Sequence, residues 1–198
     1  MQPLLHAEEP TTARPGRFHA TWRTAHEPVA GVSRRMQLVA YAVPLTVLPS
    51  SIWRLPAAFD GGLGLGERAY VVFLSILSEA FAFTAIGLIA RWGEVFPRWI
   101  PVLRGRRVPR KAAVLPAAVG AMILTLLFTL LFIVSEIRGT TIRGGELSAD
   151  SPSQASGWEA AWFYFCYAPL TLWGPLLAVL TVAYWKRRSA TGKVPAAA

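Results

Sequence analysis

Four apolar runs, each near or above the length a helix needs to cross a bilayer, divide this chain. They cover about residues 36–54, 69–90, 112–137 and 158–184. A helix needs about 20 apolar residues to cross roughly 30 Å of hydrocarbon. A water-soluble domain spreads its apolar residues at helix or strand period over one face and rarely gathers them into unbroken runs of this length. The fold class expected is therefore all-α, a four-helix transmembrane bundle of the cell membrane. The 198 residues leave no room beside it for a soluble domain of ordinary size.

The charge pattern orients the bundle. Of the 20 Lys and Arg, 16 fall in the N-terminal arm, the second connection and the tail, and 4 in the first and third connections. Cytoplasmic loops carry the excess of basic residues, so both termini and the second connection are expected in the cytoplasm. The net charge of +9 flanks the spans and accompanies no nucleic-acid-binding motif, so no nucleic-acid partner is expected. Arg34 and Arg35 before an apolar run also resemble a twin-arginine export signal. No small-residue cleavage site of convincing A-x-A type follows before Phe59, so the pair reads as an anchor of the first span.

Domain organisation follows: a disordered basic arm over 1–35, the membrane domain over 36–185, and a disordered tail over 186–198. Pro44 and Pro49 in the first helix, and Pro169 and Pro175 in the fourth, each remove a backbone donor and are expected to kink it. Ser156 and Glu159 have the spacing of a capping box for the fourth helix. His6, His19 and His26 lack ligand spacing, and the single Cys166 lies inside an apolar run, so neither a metal nor a cofactor is expected.

The second connection is rich in both arginine and aromatic residues. Arg91, Trp92, Glu94, Arg98, Trp99, Arg104, Arg106, Arg107, Arg110 and Lys111 suit a segment lying against anionic lipid headgroups or a partner protein. Glu94 is placed to pair locally with Arg91 or Arg98. Its pattern Trp92-Gly93-Glu94-x-x-Pro97-Arg98-Trp99-x-Pro101, followed by Gly105-x-Arg107-x-Pro109, resembles a loop of uncharacterised four-span integral membrane proteins of high-GC actinobacteria. The resemblance extends over about residues 36–186. It implies the four-span layout and brings no activity with it.

Glu79 is the one ionisable residue near the middle of a span, about 15 Å deep at 1.5 Å per residue. A carboxylate there is costly unless neutral, paired or wetted. Counting depth along the other runs gathers Ser75, Ser78, Thr46, Thr125, Thr129, Tyr167 and Thr171 around it as an intramembrane polar cluster. Arg54, Glu136, Trp162 and Tyr164 fall nearer its outer mouth, where Glu136 is expected to pair with Arg138, Arg54 or water. No second carboxylate or histidine shares that depth, so the cluster reads first as an interhelical hydrogen-bonding site.

Three functions fit these residues. The first is a non-catalytic accessory or envelope-associated membrane protein with lipid, homo-oligomeric or membrane-protein partners. The second is a proton-coupled carrier of a small molecule or ion that uses Glu79. The third is an intramembrane lipid or isoprenoid enzyme, which needs a second acid or base that the sequence does not supply.

Overall fold

The computed structural model describes residues 28–59, 62, 64–95, 105–139 and 156–191. Within them the chain is all-helical, and four helices are long and apolar enough to cross a membrane: Arg34–Pro56, Leu65–Leu88, Arg110–Arg138 and Trp158–Ala190. They enclose or closely track the four apolar runs of the sequence. Large apolar side chains stay exposed around the bundle, among them Leu45, Phe73, Ile76, Phe81, Met122 and Val182. Such a surface is stable against hydrocarbon, where the backbone satisfies itself by helix formation.

The first helix, α1 (Arg34–Phe59), runs as one α-helix through Pro44, Pro49 and Pro56. Next, α2 (Leu65–Thr84) opens with the Glu67 carboxylate accepting from the Gly64 N–H at 3.1 Å and closes in a 3-10 turn, Ala85–Leu88. The third span is α3 (Arg110–Leu124), a π-helical stretch Thr125–Leu130, and α4 (Leu131–Arg138). In the fourth span α5 (Trp158–Tyr167) passes through a 3-10 turn, Ala168–Leu172, into α6 (Trp173–Thr191).

Packing divides the bundle into two pairs. The first span lies against α2, the third span lies against α6, and the first and fourth spans join the two pairs. The core between them is built from Ala40, Val43, Val47, Ala82, Leu170, Trp173, Leu180 and Tyr184. The third span is the least covered by protein.

The irregular turns of the third and fourth spans meet. Pro175 has no N–H to give the Thr171 carbonyl four residues earlier. Thr129, on the π-helical stretch, donates its Oγ1 to that carbonyl at 2.6 Å. Beside it Gly174 lies so close to Thr125 that a Cβ would collide with the Thr125 backbone nitrogen and hydroxyl.

Three expectations are corrected. The fourth helix continues through Lys186, Arg187 and Arg188 to Thr191, because both arginines are tied to the bundle, so the tail beyond the helix is shorter than 186–198. Residues 28–33 of the arm are also attached, with the Val29 N–H bonded to the Ile89 carbonyl at 2.9 Å. Ser156 caps nothing: Gly157, with φ of 71°, is the N-cap of α5 and makes no side-chain cap bond. Residues 1–27 of the arm, 192–198 of the tail, and most of the third connection lie outside the described residues.

Candidate functional site

Two polar regions carry the residues singled out by sequence, and they lie in different parts of the bundle. The first is inside it. Glu79 on α2 faces α1, where Ser51 turns its hydroxyl toward the carboxylate and Arg54 brings a positive charge close by. Arg54 is held in place by its own helix, its Nε donating to the Ser50 carbonyl at 3.0 Å and its Nη2 to the Ser50 hydroxyl at 3.2 Å. Its charge also reaches Tyr167, which stacks on Phe163. Glu79 Oε1 and Ser51 Oγ are both buried, and neither closes a hydrogen bond among the described residues.

The expected polar cluster does not assemble as one group. Thr125 and Thr129 lie on the third span, which packs on the fourth, whereas Glu79 packs on α1. Most of the hydroxyls bond their own helices: Thr46 to the Val43 carbonyl, Ser75 to Val71, Ser78 to Leu74, Thr125 to Ala121, and Thr171 to Ala168. Back-bonding of this kind satisfies Ser and Thr within apolar helices. Thr129 is the exception, through its bond to Thr171. Glu136 accepts from the Tyr164 hydroxyl at 2.5 Å, while Trp162 is half-exposed and stacks between Trp158 and Phe165. Arg54 belongs with Glu79. The groups that sequence reasoning missed are Ser50 and Ser51, which depth counting passed over because they lie four and five residues nearer the expected outer end than Thr46, and only packing decides which turn of α1 meets Glu79.

The second region lies at the arginine-rich end. Here the residues of the Trp-Gly-Glu pattern each have a structural task. Trp92 stacks parallel to Phe83, with ring centroids 6.5 Å apart. Gly93 touches the backbone of Gly87 so closely that a Cβ would strike the Gly87 carbonyl. Glu94 reaches across the bundle, its Oε1 2.7 Å from Arg187 and its Oε2 3.6 Å from Arg188. Helix packing supplies these partners by bringing the last turns of α6 beside the loop.

The same arginines stitch the neighbouring segments together. Arg187 also donates to the Leu88 carbonyl at 3.2 Å, and Arg188 to the Val108 carbonyl at 2.8 Å. The Val108 N–H returns a bond to the Glu94 carbonyl at 2.9 Å, and Arg110 donates to the Arg188 carbonyl at 3.2 Å. Both Arg187 and Arg188 lie over the Tyr184 ring, 5.5 and 5.7 Å from its centroid.

These contacts border a cavity of about 660 Å³. Among the described residues its charged lining is Arg91, Arg107, Arg110, Arg187, Arg188 and Glu94. Of the loop residues expected to meet anionic headgroups or a partner, Arg106 and Lys111 are exposed outside this lining. Arg98, Trp99 and Arg104 lie outside the described residues. The missed members are Arg187 and Arg188, whose signal was their place at the end of an apolar run, where cations also complement the helix dipole. Among the described residues no group of His, Cys, Asp and Glu could hold a metal ion. No family model, curated protein or solved structure matches the chain.

Proposed function

We propose that this is a multi-pass protein of the cell membrane, non-catalytic and of the accessory or envelope-associated kind, with both termini and the arginine-rich end in the cytoplasm. The observation that carries the reading is the cross-linked basic end: Glu94, Arg187, Arg188 and Arg110 join the loop to α3 and α6. A preorganised cationic surface beside the spans suits the negative inner leaflet, where each Lys or Arg is worth about 1 kcal/mol. The positive-inside imbalance of the sequence supports the same orientation. Membership of the actinobacterial four-span family, and bends at Pro44, Pro49, Pro169 and Pro175, belong to this reading. The 3-10 turn at Ala168–Leu172 supports a bend in the fourth helix.

Cysteine labelling tests the orientation. In a Cys166→Ser background, Ser156→Cys is expected to react with an impermeant maleimide on intact cells. Ser189→Cys is expected to react only after permeabilisation. The reverse pattern overturns the topology. For the headgroup contact, the purified chain is expected to bind phosphatidylglycerol vesicles more tightly than phosphatidylcholine vesicles, with the difference fading at high salt. Equal binding to both overturns it.

A second reading rests on the buried, unbonded oxygen of Glu79. A carboxylate so placed can exchange a proton as a carrier moves its cargo. Proton-gradient-driven flux in proteoliposomes that disappears in a stably folded Glu79→Gln variant supports it. Flux that survives the substitution sinks it.

A further inference from the structure

The geometry points to a binding site for a phosphomonoester group in the cavity at the arginine-rich end. It deepens the reading of that end as an anion-binding surface and does not depend on which side of the membrane it faces. Among the described residues five arginines and one carboxylate line it. The Glu94 carboxylate is engaged by Arg187 and Arg188, so it does not neutralise the wall formed by Arg107 and Arg110. A single carboxylate ligand carries one negative charge against the two positive charges of Arg107 and Arg110. A terminal phosphate carries close to two negative charges and three acceptor oxygens.

The residue type favours the same ligand. Guanidinium groups present paired donors that match phosphate oxygens, which an ammonium does not. Among the described residues every cation in the lining is arginine, although Lys111 and Lys186 stand next to lining residues in sequence. Position adds to it. Helix α3 begins at Arg110 with no acidic residue in its first turn and no side-chain cap, so the positive end of its dipole opens beside the cavity. The size fits a phosphorylated headgroup or a small phosphorylated metabolite. Segments 28–30, 91–95, 107–110 and 187–188 contribute to the wall, and Arg110, Arg187 and Arg188 are held by their own hydrogen bonds before a ligand arrives.

The test uses the full-length protein in detergent, with both faces accessible, and then in nanodiscs. Glycerol phosphate and inorganic pyrophosphate are titrated by calorimetry in detergent. Nanodiscs containing phosphatidic acid are compared with nanodiscs containing phosphatidylglycerol, the latter a diester without a terminal phosphate. Saturable binding of the soluble compounds assigns a soluble source. Preference for phosphatidic acid discs without soluble binding assigns a lipid headgroup. Either outcome supports the site.

The double substitution Arg107→Gln with Arg110→Gln is expected to weaken binding by about tenfold or more. The exposed pair Arg106→Gln with Lys111→Gln removes the same charge outside the lining and is expected to leave it nearly unchanged. Equal losses in the two pairs overturn the site and leave only a diffuse cationic surface. Equal affinity for phosphatidic acid and phosphatidylglycerol discs, with no soluble binding, overturns it while leaving the general headgroup reading intact. Should the first pair fail to fold, Arg107→Lys replaces it. That variant keeps the charge and loses the fork, so unchanged affinity counts against the site.

Discussion

Thr129 donates its hydroxyl to the Thr171 carbonyl across 2.6 Å, and that carbonyl is the one Pro175 leaves without its helical donor. A side chain from the π-helical stretch of one span thus completes the broken backbone of another. Thr129→Val keeps the shape and removes the donor. It is expected to destabilise the bundle by about 1 kcal/mol, with Thr129→Ser retaining most of the stability. Reversible denaturation in mixed micelles measures both, and equal stability of Val and wild type would refute the role.

Gly93 sits against the Gly87 carbonyl with no room for a methyl group. Backbone on both sides of the contact cannot move aside as a flexible side chain would. Gly93→Ala is expected to lower the yield of folded protein sharply and to separate Trp92 from Phe83. Gel-filtration profiles in detergent and tryptophan fluorescence report the two effects. A folded variant with unchanged fluorescence contradicts the close approach.

Glu94 serves Arg187 and Arg188 at once, and all three side chains are only 15–18% exposed. Glu94→Gln keeps the shape and leaves two partly buried cations without their counter-charge. A loss of about 1–3 kcal/mol is expected. A double-mutant cycle with Arg187→Gln isolates the pairwise part. Additive losses would mean that the ion pair contributes nothing measurable.

Tyr184 shows the opposite case. Its ring is buried under Arg187 and Arg188, yet its hydroxyl has no hydrogen-bond partner among the described residues. Removing an unsatisfied group relieves its desolvation cost. Tyr184→Phe is therefore expected to leave the melting temperature unchanged or slightly raised, whereas Tyr184→Leu lowers it by removing the ring beneath two guanidinium groups. A large loss in the Phe variant would reveal a partner for the hydroxyl.

The residues divide cleanly between what was legible in the chain and what was not. The four spans were legible because crossing hydrocarbon is a demand on each segment alone: enough consecutive apolar residues, with charges outside them. Glu79 stood out for the same local reason. Its neighbours Ser51 and Arg54, and the separation of Thr125 and Thr129 from it, depended on which helix packs beside which and on rotation about each axis. Depth along a run contains neither quantity.

The arginine-rich end makes the same division. Sequence alone marked Glu94, Arg107 and Arg110 as a charged stretch next to a span. Only tertiary packing brought Arg187 and Arg188, some ninety residues later, onto Glu94, and so turned a run of charges into a lined cavity. Hydrophobicity acts segment by segment, so composition determined where the chain meets lipid. Ion pairs and hydrogen bonds act over a few ångströms in directions that neighbours must supply, so only the assembled bundle decided which polar groups meet.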